Sequence, residues 1–345
     1  LLRSFGDDMK LMDWLNNKVW PTEAKMNSED IYWGAMLAML EMVRTGTTAF
    51  VDMYGPWMER VAEAAMDAGL RGVLSRGIIG VAPDGEHKIQ ENIELYKNFH
   101  GAADGRITVM FGPHAPYTCP PAFMKKVAKA AQDLGAEIHI HMHETLDEIN
   151  GSLKEYGRRP FAWVADTGLF SGKGTIAAHC VHLDDEDIEI IKKYNIRVAH
   201  NPGSNMKLAS GVAPVPRLLK EGVVTALGTD GTSSNNNLDM LEEVNLAAML
   251  HKVNELDPMA VPAGTALKMG TEYGALAAGF KNVGKIAAGF KADITLFNMQ
   301  GPAWYPRHDI VSLLVYAANS SSVDTVICDG RVLMEKNELK TLDEE

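Results

Sequence analysis

Cysteine is scarce in this chain of 345 residues, long apolar runs are missing, and acidic residues outnumber basic ones. Cys119, Cys180 and Cys328 lie far apart without C-x-x-C spacing, which argues against a disulfide scaffold or a cysteine-based zinc site. No run of about eighteen apolar residues occurs, so we expect no membrane span. The net charge of −12, without a Lys/Arg stripe, argues against a nucleic-acid partner. These features favour a cytoplasmic protein.

The middle of the chain alternates between strand-like and helix-like segments. Short runs of β-branched and apolar residues predict strands at 47–53, 71–79, 107–112, 136–142, 175–180, 196–201 and 223–230. Helical patterns are predicted between them at 28–45, 57–69, 120–135, 152–165 and 238–253. This alternation is typical of βαβ units that build a parallel sheet.

Polar residues fall at or just after the carboxyl ends of the predicted strands. They are His114, His141, His179, His200 and Asp230. Active sites of (β/α)8 barrels are assembled from several strands on that rim. The predicted fold is therefore an α/β, TIM-type barrel. Because a closed barrel has eight strands and seven are predicted, we expect its first strand to precede Leu1.

The end of the chain has a different pattern. Residues 284–297 and 323–336 read as strands, and the second segment predicts a hairpin that turns at Asp329-Gly330. Two or three strands rarely stand alone. We therefore predict a barrel domain over residues 1–280 and the C-terminal part of a small β-sandwich over residues 281–345.

The stretch "HIHMHET" (139–145) places three histidines at alternate positions, followed by a glutamate. In a strand, His139, His141 and His143 would share one face. Only the last strand position reaches the rim, which favours His141 as a metal ligand and places Glu144 near a metal-bound water. A self-contained metal pair of His139 and His141 remains an alternative. His143 is interpreted as a supporting or solvent-facing residue.

Two further strand ends carry chemistry-bearing residues. Asp230, in "LGTDG", is either a metal ligand and proton acceptor or a helix N-cap. His179 is either a buried core group or a functional residue. Neutral imidazoles with a carboxylate suit Zn²⁺ or Fe²⁺, and a nearby glutamate supplies acid–base catalysis on bound water. The combination predicts hydrolysis or hydrolytic deamination.

Five motifs together resemble a known family. They are "FGPHAPYTC", "HIHMHET", "IAAHCVHL", "VAHNPGSNMKLASGVAPV" and "ALGTDGTSSNNNLDM". The chain is similar, over nearly its whole length, to the amidohydrolase superfamily, in the branch of chlorohydrolases and aminohydrolases. The resemblance implies a (β/α)8 barrel with one divalent metal, Zn²⁺ or Fe²⁺. His141 and Asp230 match two of its ligands.

The resemblance also implies roles for other residues. Glu144 would shuttle protons and contact the substrate, and His179 would orient the attacking water or polarise the reacting ring. Glu23 matches a glutamate that holds ribose hydroxyls, and Arg76 and His114 match further substrate contacts. Lys88 stands where the family presents an arginine to the homocysteine carboxylate. Lysine keeps the charge but loses the bidentate geometry.

The activity implied is metal-dependent deamination of a small-molecule nucleoside. The adenosine-type thioethers 5′-methylthioadenosine and S-adenosylhomocysteine would give the inosine analogue and ammonia. The alternatives are another aminated heterocycle (guanine, cytosine or triazine, with deaminase or chlorohydrolase chemistry) and a metal-free, non-catalytic barrel. The family's His-x-His ligand pair is missing. We expect it among roughly 60 residues before Leu1, and we expect the chain without it to bind metal poorly. A homo-oligomer remains open.

Overall fold

A parallel array of seven strands forms the centre of the computed structural model, which describes residues 2–344. The strands are β1 (Ala49–Tyr54), β2 (Arg71–Ile78), β3 (Ile107–Val109), β4 (Gly112–Pro113), β5 (Ile138–Met142), β6 (Thr175–His179), β7 (Arg197–His200) and β8 (Thr225–Leu227). The short segments β3 and β4 are two halves of one strand. Between them, Phe111 forms a parallel bridge to Ile138 of β5. The array therefore runs without interruption from β1 to β8.

Helices precede the first strand, connect the parallel strands and follow the last of them. They are α1 (Leu11–Trp14), α2 (Trp20–Glu23), α3 (Ser28–Arg44), α4 (Met58–Ala68), α5 (Gly85–Phe99), α6 (Ala102–Gly105), α7 (Pro121–Leu134), α8 (Leu146–Tyr156), α9 (Pro160–Ala165), α10 (Asp185–Lys193), α11 (Pro202–Lys207), α12 (Val215–Lys220), α13 (Thr232–Asn235), α14 (Met240–Glu255), α15 (Ala263–Gly270), α16 (Glu272–Ala277) and α17 (Ile310–Tyr316). None of the helices between Leu2 and Glu344 is long and apolar enough to cross a bilayer.

Among the residues that the structure describes, the two edge strands of the parallel array, β1 and β8, do not pair with each other. Across residues 2–344, β1 pairs with β2 alone and β8 pairs with β7 alone. The seven predicted strands are therefore present, and the wall of the array is open between β1 and β8. Since all seven strands are parallel, their carboxyl ends lie on one rim.

One predicted helix is wrong, because the segment 152–165 contains parts of two helices. The first of them, α8, ends at Tyr156, and Gly157 follows as its C-cap with a left-handed φ of 67°. Pro160 then occupies the first turn of α9, where its missing N–H costs no hydrogen bond. The helices α3, α4, α7 and α14 lie within two residues of their predicted bounds.

A four-stranded antiparallel sheet follows the parallel array. It consists of β9 (Ile294–Phe297), β10 (Val323–Cys328), β11 (Arg331–Glu335) and β12 (Glu338–Leu339), in the order β12-β11-β10-β9. The predicted hairpin is present, and both turn residues have positive φ, 50° at Asp329 and 81° at Gly330. The strand predicted over 284–297 is wrong before Ile294, because Gly284 and Gly289 adopt left-handed turn conformations. The predicted domain boundary at 280/281 falls between α16 and β9 and stays a prediction.

The small sheet packs against the helices that flank the start of the array. Val326, Leu333 and Met334 are fully buried in one cluster with Ala65 and Leu70, from the end of α4 and the loop that follows it. This apolar contact holds the sheet beside the amino-terminal ends of β1 and β2.

Candidate active site

A cavity of about 750 Å³ lies along the open side of the array, and its lining includes β1, the end of β8, one side of α3 and residues of β9. Its lining brings together ionisable side chains from several strand ends and from α2: Glu23, His114, His139, His141, Glu144, His179 and Asp230. These residues are distant in sequence, and they converge because parallel strands end on the same rim.

The two histidines of β5 line the cavity, and the third histidine of the motif does not. The ring centroids of His139 and His141 are 5.9 Å apart. The strand ends at Met142, and His143 has a φ of 54°, so its side chain leaves the alternating face. His143 is fully buried against Phe161 at a centroid distance of 4.7 Å. The prediction of one shared face is therefore wrong for His143, because the strand period stops before it.

Glu144 and His179 lie next to each other at the rim. His179 Nε2 is 3.7 Å from Glu144 Oε2, and the Ser210 hydroxyl donates to Glu144 Oε1 at 3.3 Å. The other ring nitrogen of His179, Nδ1, is 2.9 Å from Asn205 Oδ1. The Nδ1–H group of His179 thus donates to Asn205 Oδ1, and this bond orients Nε2 towards Glu144. His179 also has a left-handed φ of 71°, a conformation that concentrates at functional sites.

Asp230 follows the end of β8 and has both carboxylate oxygens hydrogen-bonded. The Ser204 hydroxyl donates to Oδ2 at 2.8 Å, and the Gly231 backbone N–H donates to Oδ1 at 2.7 Å. The next helix, α13, begins at Thr232 with Gly231 as its N-cap. Asp230 is therefore not the N-cap that the alternative interpretation proposed.

The surroundings of Glu144 and Asp230 shift the pKa values of these two rim carboxyl groups in opposite directions. Burial raises the pKa of Glu144 against the opposing effect of His179, and the charges of Asp230 and Glu148 add to the increase. Burial also acts to raise the pKa of Asp230, but His179 and His141 outweigh it and lower that pKa. This difference favours a proton on Glu144 and a charge on Asp230. Two carboxyl groups separated in this way are suited to acid and base roles.

His179 behaves differently from the other cavity histidines. Burial acts to lower its pKa, but the carboxylates of Glu144 and Asp230 outweigh burial and raise it. Burial instead lowers the pKa of His141 to about 4 and that of His139 to about 3. At neutral pH, His141 and His139 are therefore uncharged, the form of imidazole that binds metals.

The residues present fit a metal ion as part of its ligand set. His141 Nδ1 is 2.8 Å from the carbonyl oxygen of His114, which leaves His141 Nε2 for the cavity. A neutral imidazole and the charged carboxylate of Asp230 are donors that zinc takes. Within residues 2–344, however, no three His, Cys, Asp or Glu side chains are grouped closely enough to hold an ion. His141 and Asp230 therefore supply two donors without completing a set.

Glu23 and His114 stand beside an aromatic wall of the cavity. The ring of Tyr54 meets the ring of His114 edge to face at 5.4 Å, and Trp20 Nε1 donates to the Tyr54 hydroxyl at 2.7 Å. Burial raises the pKa of Glu23 to about 7, against the opposing charge of Arg76. Aromatic faces suit a planar base, and a carboxylate acceptor suits the hydroxyl groups of a sugar attached to it.

The two predicted cationic contacts lie outside the cavity lining. Arg76 Nε donates to Glu91 at 2.7 Å, and its Nη1 donates to the carbonyl oxygen of Tyr54 at 2.9 Å. Lys88 Nζ donates to Asp84 at 2.8 Å from a largely buried position. Both cations are thus paired with carboxylates, and the substrate contacts assigned to Arg76 and Lys88 stay predictions.

Three residues that sequence reasoning left without a role contact the predicted site. Ser204, Asn205 and Ser210 bond to Asp230, His179 and Glu144 respectively. All three lie in the polar run "NPGSNMKLAS" directly after β7. Their position after a strand end was the available signal, but their partners depend on how the chain folds back over the rim.

The fold and the rim define a class: parallel barrels whose imidazole and carboxylate side chains carry metal-assisted hydrolysis. The sequence model of the family described as "Amidohydrolase family" matches residues 2–333 of the chain. The chain belongs to the amidohydrolase family, as its motifs predicted.

Two curated relatives are similar over the whole chain. A 5-methylthioadenosine/S-adenosylhomocysteine deaminase of Syntrophomonas wolfei is 51% identical over 346 residues, covering 100% of this chain and 80% of the relative. The protein of the same description from Pelotomaculum thermopropionicum is 53% identical over 345 residues, covering 100% and 79%. This chain therefore spans about four fifths of each relative.

A solved structure supports the fold directly. An adenosine deaminase from Xanthomonas campestris with bound zinc superposes with a TM-score of 0.94 at 34% identity, covering 99% of this chain and 78% of that one. The predicted TIM-type barrel with a separate small β-domain is confirmed.

Proposed function

We propose that this chain provides the barrel of a hydrolytic deaminase that acts on adenosine-type thioether nucleosides. The observation that carries the proposal is the convergence of Glu144, His179 and Asp230 with the ligand candidate His141 in one cavity. Relatives at about 50% identity bear the description 5-methylthioadenosine/S-adenosylhomocysteine deaminase, which supports this substrate class. The products would be the inosine analogue and ammonia.

A divalent metal belongs to this proposal, with His141 and Asp230 as two of its ligands. We propose zinc, because the similar adenosine deaminase holds zinc and because imidazole and carboxylate are zinc donors. When bound, such an ion polarises water and lowers the pKa of that water towards about 7.

The chain's own residues would handle the protons. Asp230, with its lowered pKa, accepts the proton of the water that attacks C6 of the adenine. Glu144, with its raised pKa, donates a proton to N1. The proton on Asp230 then passes to the amino group, which leaves as ammonia, while Glu144 recovers a proton from the C6 hydroxyl group as the carbonyl forms. His179, fixed by Asn205, orients the attacking water beside Glu144.

Substrate preference within the class follows from the charged residues around the cavity. Glu23 would accept hydrogen bonds from the ribose hydroxyls. Lys88 is already paired with Asp84, so an incoming homocysteine carboxylate would have to displace that partner. We therefore propose that 5′-methylthioadenosine is a better substrate than S-adenosylhomocysteine.

The decisive experiment measures ammonia release by the zinc-loaded, full-length protein. 5′-Methylthioadenosine should release one equivalent of ammonia as the adenine absorbance changes to that of the inosine analogue. Guanine, cytosine and a chlorinated triazine serve as comparison substrates. Absence of ammonia from every adenosine derivative would overturn the substrate class. A Glu23→Ala variant with unchanged KM would contradict ribose binding at that residue.

A further inference from the structure

Glu148, on the first turn of α8, is a buried carboxylate to which the reaction steps above give no role. Only 7% of its surface is exposed. Its Oε1 accepts the backbone N–H of His143 and its Oε2 accepts the backbone N–H of Glu144, both at 2.9 Å. Both oxygens of this buried carboxyl group thus accept hydrogen bonds from successive backbone N–H groups, and one of these belongs to Glu144, the proposed proton carrier.

The position of Glu148 in its helix makes these bonds unusual. Thr145 is the N-cap of α8 and Glu148 is the third helical residue, where an acidic side chain commonly returns to the N–H of the N-cap itself. Two helices of this chain follow that rule. In α3, Asp30 accepts the N–H of Asn27, and in α10, Asp187 accepts the N–H of Asp184. Glu148 instead reaches past Thr145 to the two residues before it.

The backbone that Glu148 holds is not held by the sheet. β5 ends at Met142, and His143 takes a left-handed φ of 54° as the chain turns towards the cavity. The carbonyl oxygen of His143 accepts the N–H groups of Val181 and His182 at 3.0 and 3.1 Å. Glu148 thus fixes the N–H side of this turn, while the loop after β6 fixes its carbonyl side.

The side chain of Glu144 has weaker contacts than its backbone. Its carboxylate receives one long hydrogen bond, 3.3 Å from the Ser210 hydroxyl, and lies 3.7 Å from His179 Nε2. The direction in which Glu144 enters the cavity is therefore set mainly by its peptide group.

We propose that Glu148 is a positioning residue, which clamps the peptides of His143 and Glu144 so that the Glu144 carboxyl group meets the reacting ring. The assignment deepens the proposed function and rests on it. Glu23 and His114 come from other elements and keep their places without the clamp. Loss of Glu148 should therefore reduce kcat much more than it alters KM.

The first test compares Glu148→Gln with Asp147→Asn in the full-length, zinc-loaded protein. In E148Q, the side-chain amide would turn an N–H donor towards one of the two backbone N–H groups, which breaks the clamp at nearly unchanged volume. Because small misplacements of reacting groups cost up to about 100-fold, we expect kcat to fall about 10–100-fold with KM within about threefold. Asp147→Asn removes a charge from the same turn at an exposed position and should leave both constants unchanged. A kcat of E148Q within twofold of wild type would overturn the proposal.

Glu148→Asp keeps the proposal testable if E148Q folds poorly. The Asp30 and Asp187 contacts show that an aspartate at this position can reach the N-cap N–H. E148D should therefore fold with an ordinary capping box, yet it should lose kcat because it cannot reach His143 and Glu144. Wild-type kcat in E148D would contradict the clamp.

Amide exchange separates this proposal from the proposed function. The N–H groups of His143 and Glu144 should exchange faster in E148D than in wild type, with the helix α8 still protected. If the wild type released no ammonia, the proposed function would fail, but unchanged exchange at residues 143 and 144 would independently refute the clamp.

Discussion

The carboxyl-end rim of the barrel and its amino-terminal end both bury charged groups, but only the amino-terminal end pairs them fully with opposite charges. At the amino-terminal end, Arg71 forms a bidentate ion pair with Asp293 at 2.7 and 2.8 Å, and Asp329 adds a contact at 3.0 Å. Arg71 and Asp293 are almost fully buried, and opposite charges compensate each other. This cluster joins β2 to the small sheet.

The rim instead gathers groups that are incompletely compensated. Glu144 has one long hydrogen bond, and His139 Nδ1, deeper in the same cavity, has no partner among the residues the structure describes. The backbone takes left-handed φ values at His179 and Asp230, 71° and 60°. Barrels commonly place stability at the amino-terminal face and chemistry at the carboxyl face. The comparison predicts that substitutions at the two ends will separate stability from activity.

The largest effect is expected for Glu144→Gln at the rim. General acid–base groups contribute about 10²–10⁴-fold, so the deamination rate should fall by that factor. Stability should not fall, because burial already raises the pKa of this carboxyl group and an amide carries no charge. Initial rates of ammonia release and a thermal unfolding curve measure both quantities. Retention of more than a tenth of the rate would contradict the role of Glu144.

The reverse pattern is expected for Arg71→Met at the amino-terminal end. Removing one partner of a buried ion pair leaves the other charge uncompensated and costs about 3–5 kcal/mol of the free energy of unfolding. Chemical denaturation should show this loss, while kcat/KM of the folded fraction stays near wild type. The double variant Arg71→Met with Asp293→Leu should recover part of the stability. A selective loss of kcat in R71M would break the comparison.

The strands and the rim residues were accessible from sequence because both depend on local periodicity. The seven parallel strands, the helices flanking them and the hairpin at Asp329-Gly330 follow from alternation and turn residues. The rim positions of His141, His179 and Asp230 follow from their places at strand ends. The predictions of secondary structure failed where a glycine with positive φ interrupts a regular element. Gly157 ends one helix inside the predicted helix 152–165, and Gly284 and Gly289 form turns where a strand was predicted.

The contacts that orient the site were not accessible from sequence. His143 leaves the histidine face because the chain takes a left-handed φ of 54° directly after β5 ends at Met142, and the alternation of residues does not indicate that turn. Ser204 and Asn205 reach Asp230 and His179 across 26 residues of sequence in both cases. Glu148 has the pattern of an ordinary capping box. Its unusual partners become visible only in the folded chain.

A smaller effect is expected for Ser204→Ala, which removes a neutral group from the rim. The Ser204 hydroxyl bonds Asp230 Oδ2 at 2.8 Å, and groups that orient metal ligands contribute about 10–100-fold to metal affinity or activity. Zinc affinity, measured by competition with a chelator, should weaken by that factor. The exposed Ser171→Ala is the matched control. Equal zinc affinity in S204A and S171A would show that Asp230 needs no support from this hydroxyl.

The smallest effect is expected from pH, through Glu23. Burial raises the pKa of Glu23 to about 7, so its proton is retained to higher pH than in an exposed glutamate. Ribose hydroxyls need an acceptor, and the charged fraction rises from about a tenth at pH 6 to about nine tenths at pH 8. KM for 5′-methylthioadenosine should therefore fall, by up to about tenfold, as pH rises through 7. Glu23→Gln should remove most of this dependence and keep KM high at both pH values. If the variant retained the wild-type pH profile, the titrating group would lie elsewhere in the cavity. In that case the pH dependence of KM would have to come from the rim groups that also transfer protons, such as Glu144.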